Sequence, residues 1–334
     1  MNTITTATNS DCPPRDTQAW DAGWLEVGAG HRLYYEQSGN PAGVPVVVVH
    51  GGPGSGCSPR QRELLDPDGY RVILFDQRGS GRSTPRGACA DNTTELLVAD
   101  IEQLRQHLGI ARWLVSGGSW GASLGVLYCA HHAPSCLGAI LRNVFLTGAE
   151  DIAWFFHGAA RLRPAAWQRL ASLAPARRRD DVASWYLETV GGSDRGAALV
   201  AVAHWMQWEA ALTSAVSGSA IPLPDLTDEQ AALDKYRLQA HYLRNECFVG
   251  SARLLALAAT VPATVPVALL HGRRDRVCRP RNAVLLRRAI EHACLRFIPG
   301  AGHSPFDPPM QSALRAASSH FLSHGHFDGW PRSG

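Results

Sequence analysis

None of the eight cysteines forms a C-x-x-C pair; they stand singly from Cys12 to Cys294 along 334 residues. Such thin spacing excludes a disulfide-built scaffold and leads to an expectation of reduced thiols and a cytoplasmic home. The chain opens without a basic stretch followed by an apolar one. Met1 to Trp20 is polar, with Thr, Asn, Asp and Pro, and reads as a disordered lead-in rather than a secretory signal. Long hydrophobic runs are scarce too: the best, Leu254 to Leu270, is short and interrupted by Pro262 and Pro266, so a helix end, a loop and a strand explain it better than a membrane span. No repeat with a period of about 20 to 50 residues occurs, which rules out solenoids and propellers. With 32 basic and 29 acidic residues spread along the chain, no polybasic stripe invites nucleic acid or anionic lipid. H-E-x-x-H, a Walker-type loop and a G-x-G-x-x-G after the first strand are all missing, so neither metal nor cofactor is expected.

What is present suits one large α/β domain carrying an insertion: 45% of residues are hydrophobic and 18% charged. Trp24 to Val27 and His31 to Tyr35 flank Gly28-Ala29-Gly30, the pattern of a hairpin. Val44 to Val49 is β-branched without polar alternation, as in a parallel strand buried on both faces, and runs into the glycine-rich turn His50-Gly51-Gly52-Pro53-Gly54. Arg71 to Phe75 repeats the strand pattern. Thr93 to Leu108 is helical by its leucine spacing, with Thr93 or Thr94 as cap, and Trp113 to Val115 leads through Gly117-Gly118-Ser119-Trp120-Gly121 into a small-residue helix ending near His132. Leu137 to Val144 is the next strand. This alternation predicts a parallel sheet with helices on both faces.

Between about Gly148 and Gly250 strands disappear and Trp-rich helical segments, among them Trp185 to Thr189 and Val202 to Leu212, take over. The alternation resumes with the strand Val265 to Leu270, a helix near Ala283 to Glu291, the strand Cys294 to Ile298 and a closing helix Met310 to Leu322. The expected division is a lead-in over 1–22, an α/β core over 23–147, a helical cap over 148–250, the rest of the core over 251–324, and a tail over 325–334.

Gly117-Gly118-Ser119-Trp120-Gly121 fits G-x-S-x-G at a strand-to-helix junction, the context of a nucleophile elbow. Small neighbours two before and two after let strand and helix close while the Ser119 hydroxyl stands clear. A serine needs a base and an orienting acid, which in this arrangement follow in the order Ser, Asp, His. Asp275, in His271-Gly272-Arg273-Arg274-Asp275, and His303, in Gly300-Ala301-Gly302-His303-Ser304, each follow a predicted strand, where catalytic groups of parallel sheets collect. Backbone amides of Trp120 and of the turn after Val49, Gly52 in particular, are the candidate oxyanion donors; losing one such donor costs about 3 to 4 kcal/mol. With serine as nucleophile, amide or ester hydrolysis is favoured.

Together, His50-Gly51-Gly52-Pro53-Gly54, Phe75-Asp76-Gln77-Arg78-Gly79-Ser80-Gly81-Arg82-Ser83-Thr84-Pro85, Asp91-Asn92-Thr93-Thr94, Gly117-Gly118-Ser119-Trp120-Gly121, Trp208-Glu209 and Gly302-His303-Ser304 resemble the proline iminopeptidases, or prolyl aminopeptidases, over about Trp24 to Leu322. The resemblance implies an α/β-hydrolase fold with a helical cap, without a cofactor, releasing N-terminal proline from small peptides through a serine acyl-enzyme. It also implies that acidic side chains of the cap hold the substrate's imino group. Glu209 matches one of them. The second carboxylate's segment, R-I-E-x-H-Y in the family, is Arg237-Leu238-Gln239-Ala240-His241-Tyr242 here, so Gln239 replaces a glutamate. Phe145 matches an apolar wall for the proline ring. Phe155 lies in Trp154-Phe155-Phe156-His157-Gly158-Ala159-Ala160, which lacks the family's glutamine and terminal serine. A carboxylate about 4 Å from an ammonium contributes up to roughly 4 kcal/mol at an effective dielectric of 20, whereas an amide offers only a hydrogen bond. An amidase, esterase or acyl transferase with a retuned cap, acting on a small amide or ester, therefore stands as the alternative, and the oligomeric state is open.

Overall fold

The computed structural model describes residues 18–214, 222–224 and 226–330. In chain order the elements are β1 (Ala19–Glu26), β2 (Arg32–Gly39), β3 (Val44–Val49), β4 (Tyr70–Phe75), α1 (Thr94–His107), β5 (Trp113–Gly118), α2 (Trp120–His131) and β6 (Cys136–Arg142). Five helices follow: α3 (Ala149–Phe156), α4 (Pro164–Leu173), α5 (Val182–Gly191), α6 (Arg195–Thr213) and α7 (Glu229–Arg244). The chain then returns through α8 (Gly250–Ala258), β7 (Val267–Gly272), α9 (Pro280–Ala289), β8 (Cys294–Ile298) and α10 (Pro308–His324). Among the described residues no helix is long and apolar enough to cross a membrane.

The strands form one sheet in the order β1-β2-β4-β3-β5-β6-β7-β8, antiparallel at β1–β2 and β2–β4 and parallel elsewhere. The α/β-hydrolase expectation holds, including the antiparallel hairpin. Alternate side chains of the central strands serve two cores. Val46, Val48, Leu74, Leu114 and Ile140 face α10, while Val47, Val49, Ile73, Val115 and Leu141 face the layer of α1 and α2. This two-sided burial is why the strands read as continuous apolar runs.

Strand ends shift from the sequence reading for local reasons. Strand β6 stops at Arg142 because Asn143 turns into the left-handed region (φ 47°), which asparagine tolerates better than most residues. The lead-in expected over 1–22 needs correction, since Ala19 already belongs to β1, where the Trp20 indole donates to the Gly39 carbonyl at 3.1 Å. Residues 1–17 lie outside the described ones. At the other end, Phe327 and Trp330 are buried against the α10 side of the sheet, and 331–334 lie outside the described residues.

Helices α3 to α7 sit between β6 and β7 around an aromatic cluster in which the Trp205 ring lies 5.0 Å from Phe156 and 5.3 Å from Tyr236. Helix α7 joins this cluster to the core. Tyr242 donates to Asn92 Oδ1 at 2.6 Å, and Asn92 Nδ2 in turn donates to the carbonyls of Arg78 and Ala88 at 3.0 and 2.8 Å.

Candidate active site

Sheet register places the loops of interest side by side. Val49 pairs with Gly117, Gly118 with Arg142, Arg142 with Leu270 and Gly272 with Ile298, so the carboxyl ends of β3, β5, β6, β7 and β8 form one edge. From that edge rise the glycine turn after β3, Ser119, Asn143, Asp275 and His303.

Ser119 occupies the turn between β5 and α2 at φ 57° and ψ −123°, a strained conformation for a residue with a side chain. Packing enforces it. A Cβ at Gly117 would collide with the Gly121 carbonyl, and one at Gly121 with the Val49 carbonyl, so strand, helix and neighbouring strand approach as only glycine allows. Trp120 opens α2, and its amide is one of the donors that a helix start leaves without an internal acceptor. Its buried indole donates to Gln77 Oε1 at 3.0 Å, while Gln77 Nε2 donates to the His50 carbonyl at 2.8 Å. Gln77 thus ties the elbow to the loop bearing Gly52.

Asp275 is buried. Its Oδ1 accepts from the amides of Val277 and Cys278 at 2.9 and 3.0 Å, and its Oδ2 meets His303 Nδ1 at 2.8 Å. A carboxylate held this way fixes the ring so that Nδ1 carries the proton and Nε2 remains as the basic nitrogen. His271 lies 3.7 Å from the same oxygen, yet burial pushes its pKa down, so it stays neutral and leaves the Asp275 charge to His303. The His303 backbone is clamped as well: Arg142 Nη1 and Asn143 Nδ2 both donate to its carbonyl at 3.0 Å. Asn143 also donates to the Gly302 carbonyl at 3.0 Å and accepts from the Gly272 amide at 2.9 Å, joining the loop of Asp275 to the loop of His303. Burial lowers the Arg142 guanidinium to about 10, with Asp275 pulling the other way, so it remains a cation at neutral pH.

Cys278 Sγ lies 3.9 Å from Ser119 Oγ. Burial raises its pKa well above the usual thiol value, which keeps it protonated and weakly nucleophilic. Among the described residues one set of metal-type donors, those of Asp275, Cys278 and His303, falls within 4.8 Å of one another. Two of these three donors, Asp275 and His303, are already bonded to each other.

Ser119 and His303 open into a cavity of about 420 Å³ that is also lined by Gly52, Phe145, Phe155, Glu209 and Gln239. Every substrate-binding residue expected from the sequence therefore lines the same cavity as Ser119. Glu209 is gripped from α7: Tyr236 donates to Oε2 at 2.6 Å and Gln239 Nε2 to Oε1 at 3.0 Å. Burial pushes the Tyr236 phenol far up, so it remains a donor. The opposite oxygen of the Gln239 amide, Oε1, is buried and has no hydrogen-bond partner among the described residues. Sequence reasoning assigns no role to Tyr236, Gln77 or Asn143. The one signal for Asn143 and Gln77 is a polar residue just after an apolar strand.

A model of the alpha/beta hydrolase fold matches residues 44–308. Proline iminopeptidase of Xylella fastidiosa (strain Temecula1 / ATCC 700964) is 42% identical over 304 residues, covering 91% of this chain and 97% of that protein. Proline iminopeptidase of Neisseria gonorrhoeae is 37% identical over 310 residues, with 91% and 97% covered. Among solved structures, proline iminopeptidase from Mycobacterium smegmatis superposes with a TM-score of 0.62 at 20% identity, covering 91% of this chain and 98% of that one. An esterase from Rhodococcus sp. gives 0.60 at 20%, with the same coverage. Those structural likenesses speak for the fold. The sequence relatives go further, and the chain belongs to the proline iminopeptidase family of the α/β hydrolases.

Proposed function

We propose that the protein is a serine aminopeptidase that removes proline from the N-terminus of small peptides. Ser119 Oγ attacks the prolyl carbonyl carbon as His303 Nε2 takes its proton, and Asp275 stabilises the imidazolium that results. The amides of Gly52 and Trp120 receive the developing oxyanion. As the carbon–nitrogen bond breaks, His303 returns the proton to the departing amine, leaving a prolyl ester on Ser119. Water, deprotonated by His303, then attacks the ester; proline leaves and the hydroxyl is restored.

The observation that carries this reading is the pair Glu209 and Gln239 in the cavity of Ser119. A prolinium has two N–H donors. The Glu209 carboxylate, held by Gln239 Nε2 at 3.0 Å and by Tyr236 at 2.6 Å, offers them an acceptor. Phe145 and Phe155 supply apolar surface for the ring. A cytoplasmic setting accords with the seven described cysteines, all of them unpaired.

Purified protein should release arylamine from a prolyl arylamide, fail on the N-acylated compound, and lose the activity in Ser119→Ala. Hydrolysis of acyl-prolyl arylamides or simple esters without any prolyl arylamide turnover would overturn the reading and favour the retuned amidase or esterase, for which the neutral Gln239 is the supporting observation.

A further inference from the structure

Of the 32 Lys and Arg residues in the chain a single one is lysine, Lys235, and it lines the cavity that contains Ser119. It lies on α7 four residues before Gln239, so the two share one helix face and are offset by about 6 Å along the axis. A Cβ on Gly54 would strike the Lys235 carbonyl, which sets this turn of α7 against the glycine loop that bears Gly52. The ammonium stands 4.8 Å from the centre of the Tyr236 ring, whose hydroxyl holds Glu209. Among the described residues no carboxylate lies within ion-pair distance of it. Its neighbour Asp234 is engaged by Gln230 at 2.8 Å and faces Arg86 at 3.7 Å.

A cavity lined by Glu209 and by Lys235, whose ammonium has no carboxylate partner among the described residues, is complementary to a molecule carrying both charges. A dipeptide with free ends is such a molecule. Two residues span at most about 7 Å, close to the offset between Gln239 and Lys235. A peptide amide or an arylamide of the same length keeps the amine but has nothing for the lysine.

We propose that Lys235 forms a carboxylate-binding subsite that selects short peptides with a free C-terminus, dipeptides above all. This rests on the aminopeptidase reading, in which Glu209, held by Gln239, binds the amine. With both ends held, the scissile carbonyl is confined over Ser119, and the selection appears in KM.

The test compares kcat/KM for prolyl-alanine and prolyl-alanine amide in the wild type, Lys235→Met and Lys235→Arg. The wild type should favour the free acid about tenfold, the Met variant should bring the ratio near one through KM, and the Arg variant should keep most of it. Equal use of both compounds by the wild type, or an undiminished ratio in the Met variant, overturns the subsite. Failure of the aminopeptidase reading is distinct: neither compound turns over. Protection of Ser119 from fluorophosphonate labelling then reads binding of the same two compounds, and equal protection again overturns the subsite.

Discussion

At the sheet edge, Ser119, Asp275 and His303 are held by backbone amides, carbonyls and two bridging amide side chains, Gln77 and Asn143. In the cap, Glu209 on α6 is held by Tyr236 and Gln239 on α7, and both helices rest on interlocking aromatic rings. The first arrangement tolerates few changes, because each donor or acceptor sits at a fixed strand end and each glycine is a close approach. The second depends on volume and contact, which many side chains can satisfy. In the proposed aminopeptidase, chemistry is set by the edge and selection by the cap.

The largest expected effect comes from breaking the edge without touching the reacting groups. Asn143→Gly keeps a residue at ease with φ 47° but removes three hydrogen bonds that join the loops of Asp275 and His303. Displacing a catalytic group by about 1 Å can cost on the order of 100-fold, so kcat should fall by about that factor while KM changes little. Steady-state kinetics on a prolyl arylamide decide it. A raised KM with kcat intact would mean that edge and cap do not divide the work in this way.

A smaller effect is expected from the cap. Gln239→Glu replaces an amide with a second carboxylate beside Glu209 and should raise kcat/KM for a prolyl arylamide about tenfold, chiefly through KM, with the gain shrinking as salt is added. The same change should leave acylation of Ser119 by a neutral fluorophosphonate unaltered. No gain in prolyl turnover would remove Gln239 from amine recognition.

The same division explains what could be read without coordinates. The elbow was legible because sterics leave no alternative to glycine at 117 and 121, and Asp275 and His303 because each follows a strand in a fixed order. Asn143 and Gln77 were not, since their partners are backbone groups tens of residues away that no local pattern encodes. In the cap, Glu209 and Gln239 could be matched only by resemblance. Tyr236 could not be placed against Glu209, nor Lys235 on the cavity, until α6 and α7 were packed against each other, because helical periodicity says which face is apolar and not what it faces.

The smallest effect concerns pH and again separates edge from cap. Burial lowers the pKa of His271 beneath its ordinary 6.5, and His50, on the glycine loop, is lowered for the same reason. Groups of this kind bind more protons unfolded than folded, so the stability they contribute is complete above about 6.5 and is lost as pH falls through that value. The slope is about 1.4 kcal/mol per pH unit for each proton taken up. His271→Asn removes one of those protons, so the urea midpoint, though lowered at about pH 7.5 by lost packing, should fall less steeply toward about pH 5 than in the wild type. His50 and His132, both lowered by burial, contribute to the slope that remains. An unchanged slope would show that His271 takes up no proton on unfolding, and the neutral imidazole beside Asp275 would have to be abandoned with it.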